Sequence, residues 1–194
     1  MKEKEIYLLF THSGSLLSRA IKKVTRDPYS HVSIAFDPEL REVYSFGRKK
    51  PKNPFIAGFV KEDMNNGTLS LFPNVACELH QMKITTEQHR KLRGEIAYYQ
   101  RNADRYKYNF LGIITAWGGY PLHRYNAYFC SQFVASVFND AGIKVIGKNP
   151  GLITPMEILS EIKKKGAVLI YRGTVSNFVN KGRKVVKSRI RTAV

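Results

Sequence analysis

Short apolar runs separated by turn-forming residues occupy the first quarter of the chain, a pattern typical of β-strands joined by tight turns. Residues 6–10 form the first run, and a helix is predicted over residues 15–24, where apolar positions recur at helical spacing. Residues 31–36 and 41–46 predict two further strands, and the Asp-Pro-Glu sequence between them predicts a turn. These two strands therefore form a predicted hairpin.

The first strand of this hairpin carries different side chains on its two faces. Side chains alternate along a strand, so its three apolar positions share one face, which is expected to contact the core: Val32, Ile34 and Phe36. His31 lies on the opposite face together with Ser33 and Ala35. We therefore expect His31 to border a cleft or solvent.

The rest of the chain mixes predicted strands with predicted helices. Residues 48–67 are rich in proline, glycine, asparagine and lysine, which predicts a long loop with one short strand. Beyond this loop we predict strands at 69–72, 76–82 and 168–171, and helices at 85–102, 113–117, 130–141 (with Gly142 as cap) and from Thr154 onward. This mixture predicts an α+β domain, in which an antiparallel sheet carries His31 and the helix that begins at Cys130 packs against it.

Length and charge restrict the class of protein. A chain of 194 residues is long enough for one domain with its own core, which we place at residues 1–175. Residues 176–194 form a basic tail, and the whole chain carries 32 lysine and arginine residues against 15 acidic ones, a net charge of +17. Such a charge attracts polyanions, so an anionic membrane surface or another polyanion is an expected partner of the tail. The sequence contains no nucleic-acid recognition motif, and specific nucleic-acid recognition is not expected.

The N-terminus and the spacing of potential metal ligands narrow the class further. The apolar run at residues 6–10 is too short for a signal peptide, and no stretch approaches the roughly 18 uncharged residues of a membrane-spanning helix. We therefore expect a cytoplasmic protein, peripheral to the membrane where the tail binds it. The 2 cysteines and 5 histidines do not occur at metal-ligand spacing, and we expect neither a metal nor a cofactor.

Cys130 is the residue best suited to covalent chemistry. It lies where a loop meets the predicted start of a helix, and the free N–H groups there stabilise a thiolate and can hold an oxyanion. His31 has the residue type and the placement that a base for this thiol requires. Cys77, in contrast, lies within a predicted strand, and we interpret it as structural. The alternative for Cys130 is a small buried apolar side chain without chemistry.

The order of eight short segments along the chain is more informative than any one of them. The segments are Ile6–Leu9, Leu16–Ile21, Pro28–Ile34, Val43–Phe46, Tyr106–Leu111, Tyr128–Val134, Ala141–Ile143 and Thr154–Pro155, within about residues 5–160. In this order, with a strand histidine about 100 residues before a cysteine at a helix start, the chain resembles the permuted NlpC/P60 family. These are the YiiX/YebB-like members of the papain-like superfamily, which are related to the lecithin–retinol acyltransferase group.

The resemblance implies a circularly permuted papain-like fold with Cys130 as nucleophile and His31 as base. The third catalytic residue of the family is a polar residue, commonly glutamate, on the strand after the histidine strand, and the matching position here is Ser45. A serine hydroxyl can accept from a ring N–H, but it does not stabilise an imidazolium as a carboxylate does. Three alternatives follow: Ser45 suffices, Glu42 or another group replaces it, or catalysis is impaired.

Three tyrosines are candidates for lining a substrate-binding cleft. Tyr29 lies beside the expected base, and Tyr106 and Tyr108 lie in an aromatic-rich segment between two predicted helices. Core packing is the alternative for all three, because the chain contains 11 tyrosines.

These residues predict a cysteine hydrolase or acyltransferase that acts through a thioester. Its substrate is expected to be a small amide, a peptide or an acyl lipid, so that amidase, peptidase and acyl-ester chemistry all remain open. Two other hypotheses stand beside it. One is a binding module that uses the same fold without catalysis, and the other is a polyanion-binding protein, such as a nucleic-acid binder, suggested by the charge.

Overall fold

The computed structural model describes residues 2–12, 27–50, 53–72, 74–144 and 147–182 of the chain. Two predicted features lie outside these residues: the helix over 15–24 and the part of the basic tail after residue 182. Among the residues that are described, no helix is both long enough and apolar enough to cross a membrane.

Within the described ranges the chain forms eight strands and five helices. The strands are β1 (Glu3–His12), β2 (His31–Ala35), β3 (Val43–Lys50), β4 (Asn53–Glu62), β5 (Ala76–Thr85), β6 (Lys107–Tyr108), β7 (Ala127–Tyr128) and β8 (Val168–Thr174). The helices are α1 (Thr86–Arg101), α2 (Phe110–Trp117), α3 (Cys130–Asp140), α4 (Pro155–Lys164) and α5 (Val175–Asn177), and a π-helical turn, Phe178–Gly182, continues α5.

Six of the strands form one antiparallel sheet in the order β4-β3-β2-β1-β5-β8. The two short strands β6 and β7 pair with each other in parallel. The predicted hairpin is confirmed, since β2 pairs with β3 through Ile34 opposite Tyr44 and Ala35 opposite Val43. The α+β class and the antiparallel sheet are likewise confirmed.

One face of the sheet packs against α1, α3 and α4. Ile6, Leu8 and Phe10 of β1 lie on this face together with Val32 and Ile34 of β2, and all five side chains are fully buried. The helices contribute apolar side chains to the same cluster: Leu92, Ile96, Phe133, Val134, Val137, Phe138, Ile158, Leu159 and Ile162. The apolar face predicted for the histidine strand therefore does contact the core.

The opposite face of the sheet is also buried, which differs from the expectation for His31. Ser33 and Ala35 are inaccessible to solvent, and the side chain of His31 is only 18% exposed. The reason is a second apolar cluster on this face, formed by the segment after β4, by β5 and β8, and by the C-terminal helix: Met64, Leu69, Val75, Cys77, Leu79, Ile170, Val175 and Phe178. His31 keeps its limited access to solvent because it is the first residue of β2.

The long loop predicted at 48–67 is wrong over most of its length, because Asn53–Glu62 forms the ten-residue strand β4. The glycine content that suggested a loop has a packing cause instead. A Cβ atom on Gly58 would lie 2.3 Å from the backbone oxygen of Tyr106, so only glycine allows that segment to approach β4 so closely.

The strand predicted at 69–72 is also wrong, since a 3-10 turn occupies Thr68–Leu71. Leu69 is buried in the second apolar cluster. Leu69 is apolar because it is buried, and not because the segment pairs with another strand. A short apolar run alone does not distinguish these two cases.

The helix ends agree with the signals in the sequence. Thr85 caps α1 by accepting a hydrogen bond from the N–H of Gln88 at 3.1 Å, and Thr154 caps α4 by accepting from the N–H of Glu157, also at 3.1 Å. Gly142 follows α3 with a φ of +73°, the left-handed conformation that favours glycine at this position. These predicted boundaries are confirmed.

Replacement of Gly58 by alanine tests the close approach between β4 and the segment before β6. We expect Gly58→Ala to lower the free energy of unfolding by about 1–3 kcal/mol, because the added methyl group forces the two backbones apart. Urea denaturation followed by circular dichroism measures this change.

A matched control is Gly94→Ala, in the exposed part of α1, where an added Cβ meets nothing within 4 Å. This variant should be more stable than the wild type by about 0.5–1 kcal/mol, since alanine is the better helix former. Equal stability of Gly58→Ala and the wild type would show that β4 has room for a side chain at that point.

Candidate active site

Cys130 and His31 meet where the N-terminus of α3 packs against the start of β2. The buried Cys130 sulfur lies 3.9 Å from the carbonyl oxygen of Ser30, the residue before His31. The imidazole of His31 forms a hydrogen bond with the same sulfur. The structure thus brings into contact the thiol and the imidazole that the sequence singles out.

Backbone N–H groups of α3 and of β2 donate hydrogen bonds to the Cys130 sulfur. The N–H of Phe129, just before α3, donates to Oε1 of Gln132 at 3.4 Å, which holds the first turn in place. The backbone N–H of Ser131 and that of Val32, on β2, both donate to the Cys130 sulfur. One free N–H group at the helix start therefore contacts the sulfur, and the strand β2 supplies a second.

Two opposing effects set the pKa of the Cys130 thiol. Burial raises it, but the positive charge and the hydrogen bond of His31, together with the N–H groups of Val32 and Ser131, lower it. The lowering prevails, so the pKa lies below the ordinary value for a thiol. The site therefore favours the thiolate, which is the nucleophilic form.

The imidazole of His31 is also paired with a carboxylate. The Nε2 atom of His31 lies 2.9 Å from Oε1 of Glu62, whose side chain is 10% exposed. Burial lowers the pKa of His31, but the charges of the Glu62 carboxylate and the Cys130 thiolate outweigh it and raise the pKa to about 10. The imidazole is therefore held as a cation at neutral pH.

The Glu62 carboxylate is kept ionised by its own hydrogen bonds. Burial raises its pKa, but His31 and the hydroxyl groups of Ser45 and Ser33 lower it further than burial raises it. The Ser33 hydroxyl donates to Oε1 of Glu62 at 2.7 Å, and the Ser45 hydroxyl donates to the same atom. One carboxylate oxygen thus accepts three hydrogen bonds, which fixes its position relative to the imidazole.

Ser45 lies in the site, but its contact differs from the one expected. The resemblance places it as the direct partner of the imidazole, whereas its hydroxyl binds Glu62, and Glu62 is the group that binds His31. Glu42, the other expected substitute, instead forms a 2.7 Å ion pair with Arg93 of α1. The carboxylate comes from β4, one strand beyond the strand where the family pattern places it.

Glu62 is not identifiable from the sequence once residues 48–67 are interpreted as a loop. The available signal is the alternation of Phe59 and Lys61 with Val60 and Glu62, which ends directly before a turn. In a sheet, that alternation places Glu62 on the same face as Val43, its partner on β3.

Tyr108 is the tyrosine that reaches Cys130. Its hydroxyl forms a hydrogen bond with the Cys130 sulfur and accepts another from the backbone N–H of Cys130. Burial and the nearby thiolate raise the pKa of this phenol well above its usual value, so it stays protonated and can donate. The candidate role of Tyr108 at the site is therefore compatible with its position.

Tyr106 lies in the aromatic core instead. It is buried against Phe46, Tyr99 and Tyr128, with ring centroids 6.0, 4.6 and 6.1 Å away. Contacts of this kind are those of core packing, which is the alternative that the number of tyrosines suggests.

Tyr29 is also buried, and its hydroxyl forms a hydrogen bond with Glu78 of β5. The Glu78 carboxylate also binds Nε of Arg172 at 2.7 Å and Nε2 of the buried His80 at 2.9 Å. Tyr29 is two residues before His31, so this network fastens the segment that leads into β2. The side chain of Tyr29 is thus a tether for that segment rather than part of an open cleft.

Cys77 lies away from the site, whereas His12 lies near it. Cys77 is buried within β5, and burial raises the pKa of its thiol to about 12, which leaves it protonated and unreactive. His12, the last residue of β1, has its Nδ1 atom 3.3 Å from the Ser30 hydroxyl and therefore borders the segment that precedes His31.

Comparison with protein-family models, curated proteins and solved structures found no match to this chain. Among the described residues, no group of three or more histidine, cysteine, aspartate or glutamate side chains is arranged to hold a metal ion. The interpretation of the site therefore depends on its own geometry.

The pH dependence of Cys130 alkylation tests the thiol–imidazole contact. We expect the rate with iodoacetamide to rise with pH around a midpoint below ~8.5, the ordinary thiol pKa, because His31 stabilises the thiolate. His31→Ala should move that midpoint upward, whereas Cys77→Ala, which removes the other thiol, should leave it unchanged. Mass spectrometry of the Cys130 peptide measures the rate, and an identical midpoint in His31→Ala would contradict the contact.

Replacement of Glu62 tests whether the carboxylate acts through the imidazole. In Glu62→Gln the pKa of His31 should fall, because the charge that raises it is lost, and the midpoint for Cys130 alkylation should rise in consequence. The nuclear magnetic resonance titration of the His31 ring measures the first change directly. Glu42→Gln is the matched control, since Glu42 pairs with Arg93 instead, and a shift of equal size there would contradict a specific role for Glu62.

Proposed function

We propose that this chain is a cysteine-dependent hydrolase or acyltransferase, with Cys130 as nucleophile, His31 as the partner that holds the thiolate and serves first as acid and then as base, and Glu62 as the carboxylate that orients His31. The observation that supports it is the continuous contact from thiol to imidazole to carboxylate. The three groups have the residue types, order and protonation that nucleophilic catalysis by a thiol needs.

The family that fits this proposal best is the permuted NlpC/P60 family. Its members have the base histidine on a strand before the nucleophile in sequence, and here His31 begins β2 while Cys130 begins α3. An antiparallel sheet with the nucleophile helix packed on it is compatible with a circularly permuted papain-like architecture. In this proposal Glu62 supplies the carboxylate that the family pattern has on the strand after the histidine strand, where this chain has Ser45.

The reaction begins with attack of the Cys130 thiolate on the carbonyl carbon of an amide or ester. A C–S bond forms, and the electron pair of the carbonyl moves to its oxygen. The Tyr108 hydroxyl forms a hydrogen bond with the Cys130 sulfur, and it is the donor that we assign to that oxyanion. His31 then gives its proton to the leaving amine or alcohol as the C–N or C–O bond breaks, which leaves a thioester.

The thioester is resolved by a second nucleophile. Neutral His31 removes a proton from water, or from an acceptor hydroxyl or amine, as that group attacks the thioester carbonyl. The C–S bond breaks, the thiolate re-forms, and the imidazolium is restored beside Glu62. Water gives hydrolysis, and any other acceptor gives acyl transfer, so the same residues serve both reactions.

Acylation of Cys130 is the direct test of this proposal. Incubation with activated p-nitrophenyl esters of short and long acyl chains, and with the corresponding amides, should release the leaving group and add the acyl mass to Cys130. Cys130→Ala should form no adduct, and Glu62→Gln should slow turnover by about 10²–10⁴-fold, because the imidazole loses its orientation and its charge partner.

The matched control is Cys77→Ala, which should acylate at the wild-type rate because Cys77 lies outside the site. An unreactive Cys130 in the folded wild type, with an ordinary thiol pKa, would overturn the enzyme proposal and favour a binding module. Steeply salt-dependent binding to nucleic acid, unchanged in Cys130→Ala, would instead favour the polyanion-binding alternative.

A further inference from the structure

The helix α2 has an apolar surface that its own fold leaves uncovered. Its sequence, Phe110–Trp117, contains no charged residue, and a helix that is apolar on all sides is normally buried. Gly112 and Ile113 do face the protein interior, but Leu111 is 53% exposed and Ile114 is 60% exposed. The spacing of three residues places Leu111 and Ile114 side by side on one helix face.

The segment after α2 carries two more exposed side chains with large apolar surfaces. Tyr120 is 76% exposed and Tyr125 is 95% exposed, more than any other large apolar side chain described. We call Leu111, Ile114, Tyr120 and Tyr125 the docking face. They are four of the nine large apolar side chains that the described residues leave exposed, although they lie within a stretch of fifteen positions.

The docking face belongs to an ordered part of the fold. The Asn109 side chain accepts from the N–H of Gly112 at 3.0 Å, which caps α2, and donates to the carbonyl oxygen of Leu122 at 3.0 Å. The N–H of Lys107 donates to the carbonyl oxygen of Asn126 at 2.9 Å. Both ends of the segment are therefore fastened to the strand that carries Tyr108.

The sequence that contains the docking face is basic. Residues 105–139 contain no aspartate or glutamate, and the basic residues Arg105, Lys107 and Arg124 are exposed. A second copy of this chain, with its net charge of +17, is therefore repelled. Four apolar side chains are also far fewer than the about 20–30 residues per partner of a stable protein–protein interface.

We propose that the docking face binds the surface of an anionic lipid bilayer. Aliphatic side chains insert at the boundary of headgroups and acyl chains, tyrosines occupy the headgroup level, and basic residues bind the anionic headgroups. The combination of Leu111 and Ile114, Tyr120 and Tyr125, and the exposed basic residues of the same segment fits that layered chemistry. This inference does not depend on the reaction proposed for Cys130.

Binding to vesicles tests the proposal with the full-length protein. We expect co-sedimentation with vesicles of phosphatidylcholine and phosphatidylserine, and about tenfold or weaker affinity in L111S/I114S, because the inserted apolar area is lost.

A matched control is V168S/L169S, which alters two exposed apolar residues of β8 and should bind as the wild type does. A second control, R183Q/K184Q/K187Q/R189Q/R191Q, neutralises the basic residues at the end of the chain and leaves the docking face intact. This variant should still bind the vesicles and lose part of its salt-dependent affinity.

Wild-type affinity in L111S/I114S, or vesicle binding that the charge-neutralised variant loses entirely, would overturn the proposal. A wild-type dimer in analytical ultracentrifugation that L111S/I114S dissolves would also overturn it, because the occupant of the face would then be a second copy. Thermal unfolding of each variant, compared with the wild type, separates lost binding from lost folding.

Discussion

The ion pair between His31 and Glu62 is the interaction on which the rest of the candidate site depends. Burial opposes a charge on either group, and each keeps its charge because the other lies 2.9 Å away. The imidazolium in turn lowers the pKa of Cys130, so a carboxylate that does not touch the sulfur determines its reactivity. Loss of either partner removes the charge that offsets burial of the other, so the pKa of the remaining group shifts toward its neutral form and the pKa of Cys130 changes with it.

The strands around this pair hold the side chains of the site in fixed positions. β2, β3 and β4 are consecutive neighbours in the sheet, and they supply the imidazole, a serine hydroxyl and the carboxylate in that order. On the other side of β2, the tether from Tyr29 to Glu78 fastens the entry to the histidine strand. The resulting positions depend on packing and hydrogen bonds across several strands, rather than on any local sequence motif.

The sequence predicts those parts of the molecule that local chemistry determines. The caps at Thr85 and Thr154, the apolar spacing of α3 and the alternation in β2 are confirmed because each is recorded within a few neighbouring residues. β4 and Glu62 are not predicted, since the glycine that suggested a loop is required by a contact with a segment far along the chain. The burial of the second face of the sheet is not predicted for the same reason, because the side chains that pack on it come from segments distant in the chain.

The environment of the Cys130 thiol is formed by residues far apart in the sequence, since Ser30 and Cys130 are 100 positions apart. A ribosome that adds about 5–20 residues per second completes the β2 strand several seconds before Cys130 is even synthesised. Until the sheet has closed on α3, Cys130 is an ordinary thiol with a pKa near ~8.5, largely protonated and a poor nucleophile at neutral pH. The lowered pKa of Cys130 therefore arises only on folding, because its causes are contacts with His31, Val32 and Ser131 that exist only in the folded chain.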